Sequence, residues 1–306
     1  MQKLSTDIDE HISKIKSAFD TDRILAWTND TDLIAKYFRL NRLSYGLLHS
    51  RQGAVHLLMN DENSQERKFD PYAQAKMVAN HIELYGSKSV LELGAGKGIN
   101  ITYLANKFPN AKFEALDLPN GQFKTSHFKK YHNISASYGD FNDLSKMKDG
   151  SFDLIYIIEA FMYAKNPAKF LKEINRILSF DGKLIIIQDH LNKPLDKLNN
   201  NERLAVELIH ASVMSGLNGR YYPDLRNCIL KAGFTIEEEK FLEYRLQPGL
   251  RILEKKASLF LKFPVILKLI NKIVPLEITG NIIICYLLRP IFTSKIHCYA
   301  LTVAGK

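Results

Sequence analysis

From Ser87 onward the apolar positions switch between two periods. Short runs dense in apolar residues, at Ser89–Leu93, Lys112–Leu116, Ile134–Tyr138, Phe152–Ile158 and Lys183–Ile187, predict buried strands. The segments between them space their apolar residues three and four apart, as helices do. One helix runs from the first strand to about Phe108, and a more polar one lies within Gln122–Tyr131. Asn166-Pro167 opens another that turns Phe170, Leu171, Ile174, Ile177 and Leu178 inward. A helix over Tyr222–Ala232 stops at Gly233, Phe234–Phe241 is a sixth strand, and His297–Val303 is an apolar C-terminal strand. Strands alternating with helices predict an α/β fold with a mostly parallel sheet covered on both faces.

The flanks follow a different pattern. Residues 1–58 read as helices with polar breaks, with Ile12, Ile15 and Phe19 and then Leu33, Ile34, Tyr37, Phe38 and Leu40 at helical spacing. The polar stretch 59–69 reads as an exposed link. Asp70-Pro71 is a good helix start, with Ala75, Val78, Ala79 and Ile82 buried and Gly86 closing it. The expected organisation is a helical cap over 1–69 and an α/β domain over 70–306 with helical insertions at about 191–220 and 248–292. Both insertions leave the carboxyl ends of strands, where connections can cover an active site.

At 306 residues, 46% hydrophobic and 25% charged, the chain has the composition of a soluble globular protein. Its polar start, M-Q-K-L-S-T-D-I-D-E, is unlike a signal peptide. The three cysteines lack metal spacing and fit a reducing cytoplasm; no metal site is expected. The net charge of +9 is uneven: residues 241–306 hold ten Lys/Arg against three Asp/Glu. Those charges interleave with apolar residues in S-L-F-L-K-F-P-V-I-L-K-L-I-N-K-I-V-P-L, which argues against nucleic acid as a partner. A basic amphipathic stretch suggests instead a membrane surface or a lipophilic substrate, with a core-packing or dimer-forming helix pair as the plainer alternative. No uncharged apolar run reaches 18 residues, so a spanning helix is not expected. The oligomeric state is not legible in the sequence.

The candidate chemistry sits at the strand ends, which is where open α/β sheets bind ligands. The first strand runs into V-L-E-L-G-A-G-K-G-I-N, with Glu92 before Gly94, Gly96 and Gly98. A dinucleotide fingerprint needs G-x-G-x-x-G, and Ile99 occupies its third glycine position. At the end of the second strand Asp117 can accept hydrogen bonds from two ribose hydroxyls. At the third, Asp140 can accept from an adenine amino group while the Phe141 backbone N–H serves a ring nitrogen. The order E-x-G-x-G-x-G, followed by acids at two successive strand ends, resembles the class I S-adenosylmethionine-dependent methyltransferases. That resemblance implies a Rossmann-like seven-stranded sheet with an antiparallel last strand. It implies S-adenosyl-L-methionine as cofactor, held by Glu92, Gly94, Ala95, Gly96, Gly98, Asp117, Leu118, Asp140, Phe141 and Ile158.

The stretch from Phe152 resembles the sterol C-methyltransferases and related terpenoid methyltransferases. Ile158-Glu159-Ala160 and Glu173-Ile174-Asn175-Arg176 match that group's pattern, with Asp181 standing where a glycine is usual. The group's aromatic-rich N-terminal segment is echoed only by Tyr45, Gly46 and His56. The resemblance implies a lipophilic acceptor, methylated at carbon or oxygen, and a substrate-side acid at Glu159. His190 after the fifth strand is a second candidate base. Tyr45 and His49 are further catalytic candidates that, with His56 and Tyr163, would form a pocket wall, whereas His210 reads as part of an ordinary amphipathic helix. A polar natural product or quinone head group as acceptor, and a non-catalytic cofactor-binding protein, are the alternative readings. The expected location is cytoplasmic, with membrane association through 248–292 as an option.

Overall fold

The computed structural model describes residues 2–27, 30–41, 56–60, 69–119, 121–217 and 220–306. In chain order the helices are α1 (Gln2–Ala18), α2 (Thr21–Leu25), α3 (Thr31–Leu40), α4 (Ala73–Tyr85), α5 (Ile99–Lys107) and α6 (Pro167–Ile177). They continue as α7 (Asn200–Ser212), α8 (Tyr222–Lys231), α9 (Glu243–Leu261), α10 (Pro264–Ile273), α11 (Leu276–Thr279) and α12 (Asn281–Thr293). The strands are β1 (Met59–Asn60), β2 (Phe69–Asp70), β3 (Ser89–Leu93), β4 (Lys112–Asp117), β5 (Ile134–Tyr138), β6 (Phe152–Ile158), β7 (Leu178–Leu191), β8 (Thr235–Phe241) and β9 (His297–Gly305).

Seven strands form one sheet in the order β5-β4-β3-β6-β7-β9-β8. β3 to β7 pair in parallel, and β9 runs antiparallel to both neighbours. The Rossmann-like mixed sheet expected from the motifs is therefore present. The order reverses direction at β3, so the carboxyl ends of β3 and β6 flank the crevice where such sheets bind ligands. Two apolar layers follow the strand alternation. Val90, Leu154, Ile185, Ile187 and Tyr299 pack with the added helices on one face. Leu91, Ile155, Ile157, Leu184 and Ile186 pack with α6 and α8 on the other.

Three local expectations are corrected. The helix after Asp70-Pro71 begins later, at Ala73, because Asp70 pairs with Met59 in the small β1–β2 sheet and its side chain accepts from Tyr72 N at 2.9 Å. Gln122–Tyr131 is no helix; only Thr125–Phe128 forms a 3₁₀ turn. Its two apolar anchors, Phe123 and Phe128, are five residues apart, a spacing that does not share a helical face, yet both rings are buried side by side. The fifth strand is also longer than Lys183–Ile187, because β9 pairs with it from Lys183 to Leu191.

The helical additions converge on one side of the sheet. α1 buries Ile8, Ile12 and Ile15 in the same layer as α12 residues Ile283 and Leu287. α7 starts at a capping box, Asn199 accepting from Glu202 N at 2.9 Å while Glu202 accepts from Asn199 N. The apolar window Leu276–Thr293 is long enough to cross a membrane, but 56% of it is buried inside the protein and it is broken between α11 and α12.

Candidate active site

The glycine turn between β3 and α5 is built for close approach. Gly94, Gly96 and Gly98 all have positive φ, at 78°, 57° and 77°. A Cβ on Gly94 would stand 2.4 Å from Ala160 Cβ, so the turn and the end of β6 meet too closely for any side chain there. Asp117 at the end of β4 pins the turn: Gly96 N donates to one carboxylate oxygen at 2.5 Å and Leu118 N to the other at 2.6 Å. Burial pushes the Asp117 carboxyl up to about 6 against the pull of these two N–H groups. Asp140 organises the turn after β5, accepting from Asn142 N at 2.9 Å, with Lys165 Nζ 3.5 Å from its second oxygen.

One cavity gathers these strand ends. Gly94, Ala95, Gly96, Asp117, Leu118, Asp140, Phe141, Ile158 and Glu159 all line it.

Two of the glycine-motif assignments change. Glu92 does not reach the cavity: it is 1% exposed beneath the turn, where Asn100 Nδ2 donates to it at 3.4 Å. Burial raises its carboxyl to about 8, so it supports the turn as a buried acid and not as a cofactor contact. Gly98 also stays outside the lining, and its role is packing. A Cβ there would lie 2.3 Å from the buried Phe128 ring, and its φ of 77° suits glycine. Gly98→Ala should therefore destabilise the protein by about 1–3 kcal/mol. Urea unfolding would show this as a lower midpoint with an unchanged slope.

The end of β6 is a junction of distant segments. Glu159 follows β6 in the left-handed region, at φ 48°, a conformation that a non-glycine residue holds only when its surroundings enforce it. The enforcing contacts are visible. Glu159 N donates to Ile187 O at 2.8 Å, while Tyr299 Oη and Leu57 N donate to its carboxylate at 2.6 and 2.8 Å. Gln74 Nε2 in turn donates to Tyr299 Oη at 3.0 Å and to Leu57 O at 2.7 Å. Burial raises the Glu159 carboxyl to about 8, with the Tyr299 hydroxyl pulling the other way.

His190 is the main correction. Along β7, Ile185, Ile187 and Asp189 face the cavity side, and His190 faces away, as strand alternation requires. Its ring packs on Tyr222 at 5.2 Å between centroids, and both ring nitrogens are buried without a partner among the described residues. Burial, reinforced by the charge of Arg220, drops it to about 3, so the ring stays neutral and out of reach of a ligand. Tyr45 and His49 lie outside the described residues. His56 and Tyr163 do line the cavity.

Asp189, which the sequence reading passed over, takes the cavity-facing position instead. It accepts from Arg220 Nη2 at 2.9 Å and from Gln188 Nε2 at 2.8 Å, with His297 Nδ1 at 3.2 Å. Burial opposes its ionisation, but Arg220 and His297 outweigh that and hold it well below the usual carboxylate range. His210 also lines the cavity, stacked on His297 at 5.4 Å between centroids. Only the alternation along Ile185, Ile187 and Asp189 could have pointed to this end in advance.

The rest of the wall is apolar or aromatic. α3 supplies Ile34, Tyr37 and Phe38, and Tyr163 makes an edge contact with Phe38 at 6.0 Å. The insertions supply Ile209 from α7, Leu253 from α9, and Ile284, Cys285 and Leu288 from α12.

Comparison with known proteins agrees with this geometry. Residues 91–186 match the family model of a methyltransferase domain. The phthiotriol/phenolphthiotriol dimycocerosates methyltransferase 1 of Mycobacterium ulcerans is 29% identical over 171 residues, which is 51% of this chain and 59% of that protein. The chain spans about half the length of the curated relatives it matches. Among solved structures, the cyclopropane synthase MmaA2 from Mycobacterium tuberculosis superposes with a TM-score of 0.65 at 14% identity, covering 94% of this chain and 99% of that one. Geranyl diphosphate C-methyltransferase from Streptomyces coelicolor A3(2) does so with a TM-score of 0.60 at 14% identity, covering 90% and 96%. The chain thus carries a class I methyltransferase domain, the kind that uses S-adenosylmethionine as methyl donor.

Proposed function

We propose that this chain transfers a methyl group from S-adenosylmethionine to a lipophilic small molecule carrying a polar end. The observation that carries the reading is the continuity of one cavity, in which the glycine turn and the apolar wall meet at Glu159. The residues present fit the cofactor. Gly94 and Gly96 line the cavity with bare backbone, and Asp117 keeps lone pairs for two ribose hydroxyls beyond its two backbone bonds. Asp140 and the Phe141 backbone N–H are assigned to the adenine.

When bound, the cofactor supplies an electrophilic sulfonium methyl, so the protein's share is alignment, exclusion of water and proton handling. Ile34, Phe38, Leu253, Ile284 and Leu288 exclude water and hold the apolar part of the acceptor. Tyr37, Phe38 and Tyr163 offer ring faces for positive charge on an alkene acceptor. Asp189, Arg220 and His210 give the cavity one polar end, suited to the acceptor's polar group. Glu159 receives the proton that the acceptor loses, whether from carbon or oxygen. Its carboxyl, raised to about 8, matches a base working near neutrality.

Relatives named for lipid and terpenoid acceptors, the phthiotriol and geranyl diphosphate enzymes, support the acceptor class. The test is incubation with methyl-labelled cofactor and a lipid and terpenoid extract, followed by mass spectrometry. Label in an organic-soluble product is expected. Label confined to water-soluble products would favour a polar acceptor instead, and cofactor binding without any product would favour a non-catalytic role. No cofactor binding by calorimetry would overturn the reading entirely.

A further inference from the structure

The outer side of the same insertion carries an apolar face with no partner among the described residues. In α10, Leu267 packs into the core and Asn271 Nδ2 donates inward to Ala18 O at 3.2 Å, which fixes which side of the helix faces the protein. The other side turns out Val265, Ile266, Leu269 and Ile273, which are 69%, 55%, 55% and 86% exposed. Phe260 and Phe263, before the helix, extend the face at 50% and 61% exposed. Positions 265, 266, 269 and 273 share one helical face, so the polarity of this surface helix is inverted. Left in water, a contiguous patch of this kind is unfavourable and marks an interaction surface.

Charge identifies the occupant. Between Glu254 and Glu277 the chain has five lysines, Lys255, Lys256, Lys262, Lys268 and Lys272, and no acid. Lys262, Lys268 and Lys272 are exposed, and the last two border the apolar face at its edge. Two copies of such a face would bring like charges together. A membrane surface bearing anionic lipids instead accepts the apolar side chains at the headgroup boundary while the lysines reach phosphates.

We propose that α10, with Phe260 and Phe263, docks the protein on an anionic lipid surface. Its functional sense rests on the lipophilic-acceptor reading, because the inner side of the same insertion walls the cavity through Leu253, Ile284 and Leu288. A lipid-soluble acceptor would then enter from the membrane on which the enzyme sits.

Co-sedimentation of the full chain with vesicles tests this, using phosphatidylcholine alone and phosphatidylcholine with phosphatidylglycerol, at low and high salt. Sedimentation velocity without vesicles and cofactor calorimetry accompany it. Binding is expected at least tenfold tighter to the anionic vesicles and weaker at high salt. Leu269→Asp with Ile273→Asp, both at exposed positions, should lose at least tenfold. Lys262→Gln with Lys268→Gln and Lys272→Gln should lose on the order of a hundredfold at low salt, from roughly 1 kcal/mol per basic residue. Unchanged binding in both variants, no binding to either vesicle, or a dimer that the aspartate variant splits would each overturn the proposal. Cofactor affinity should be equal in all variants, so a failure of docking is distinguishable from a failure of the methyl-transfer reading.

Discussion

Replacing Glu159 with glutamine is expected to lower turnover by about 10²–10⁴-fold, the usual contribution of a positioned general base, with cofactor affinity unchanged. Glutamine preserves the shape of the site. Its carbonyl oxygen can still accept from Tyr299 Oη and Leu57 N, the two donors that Glu159 Oε1 now serves. What it cannot do is take a proton. Retained turnover would move the base elsewhere in the cavity, with the Asp189 and His210 end next to be examined.

The same carboxyl predicts a pH dependence of defined sign. Burial raises it from the ordinary range near 4.5 to about 8. The base form therefore accumulates only as pH rises through about 8, and activity should rise over that range and level off. Stability moves the opposite way. The native state holds this proton more tightly than the unfolded chain, so the contribution is complete below about pH 4.5 and is lost as pH climbs to about 8. Glu159→Gln should flatten the activity profile and make the stability curve shallower. A pH–rate profile and a series of urea midpoints would check them; a stability curve equally steep in the variant would assign the effect to Glu92, also raised to about 8, and to Asp117, raised to about 6.

The parts of this molecule fixed by local pattern were legible in the sequence. The glycine turn, the strand-end acids Asp117 and Asp140, and the sheet they hang on each follow from a few neighbouring residues, and the structure brings them to one cavity. What failed was parity. Gln188-Asp189-His190 offered an acid and a histidine in adjacent positions, and chemical preference pointed to the histidine. Strand alternation puts them on opposite faces, and Ile185 and Ile187 already mark which face belongs to the cavity side. The network around Glu159 was out of reach for a different reason. Tyr299 comes from the last strand and Leu57 precedes the whole sheet, so their meeting depends on β9 inserting between β7 and β8. The insertions were ambiguous because they serve both expected purposes, lining the cavity on one side and exposing apolar surface on the other.

Asp117→Ala is expected to weaken cofactor binding by about 10²–10⁴-fold, equivalent to losing two charge-assisted hydrogen bonds of about 1.5–3 kcal/mol each. The effect has two sources that can be separated. The carboxylate serves as acceptor for the ribose hydroxyls, and it also ties Gly96 N and Leu118 N, which hold the turn in place. Asp117→Asn keeps one carbonyl acceptor for the turn but loses the charge, so it should fall between wild type and alanine. Because the ribose is common to substrate and product, calorimetry should show equal losses for S-adenosylmethionine and S-adenosylhomocysteine. Burial also raises the Asp117 carboxyl to about 6, so wild-type affinity should decline as pH falls through that value while the alanine variant shows no such decline. An alanine variant that binds both forms as tightly as wild type would detach the ribose from β4. The cavity would then have to hold the cofactor in a different orientation, with the glycine turn facing something other than its methionine end.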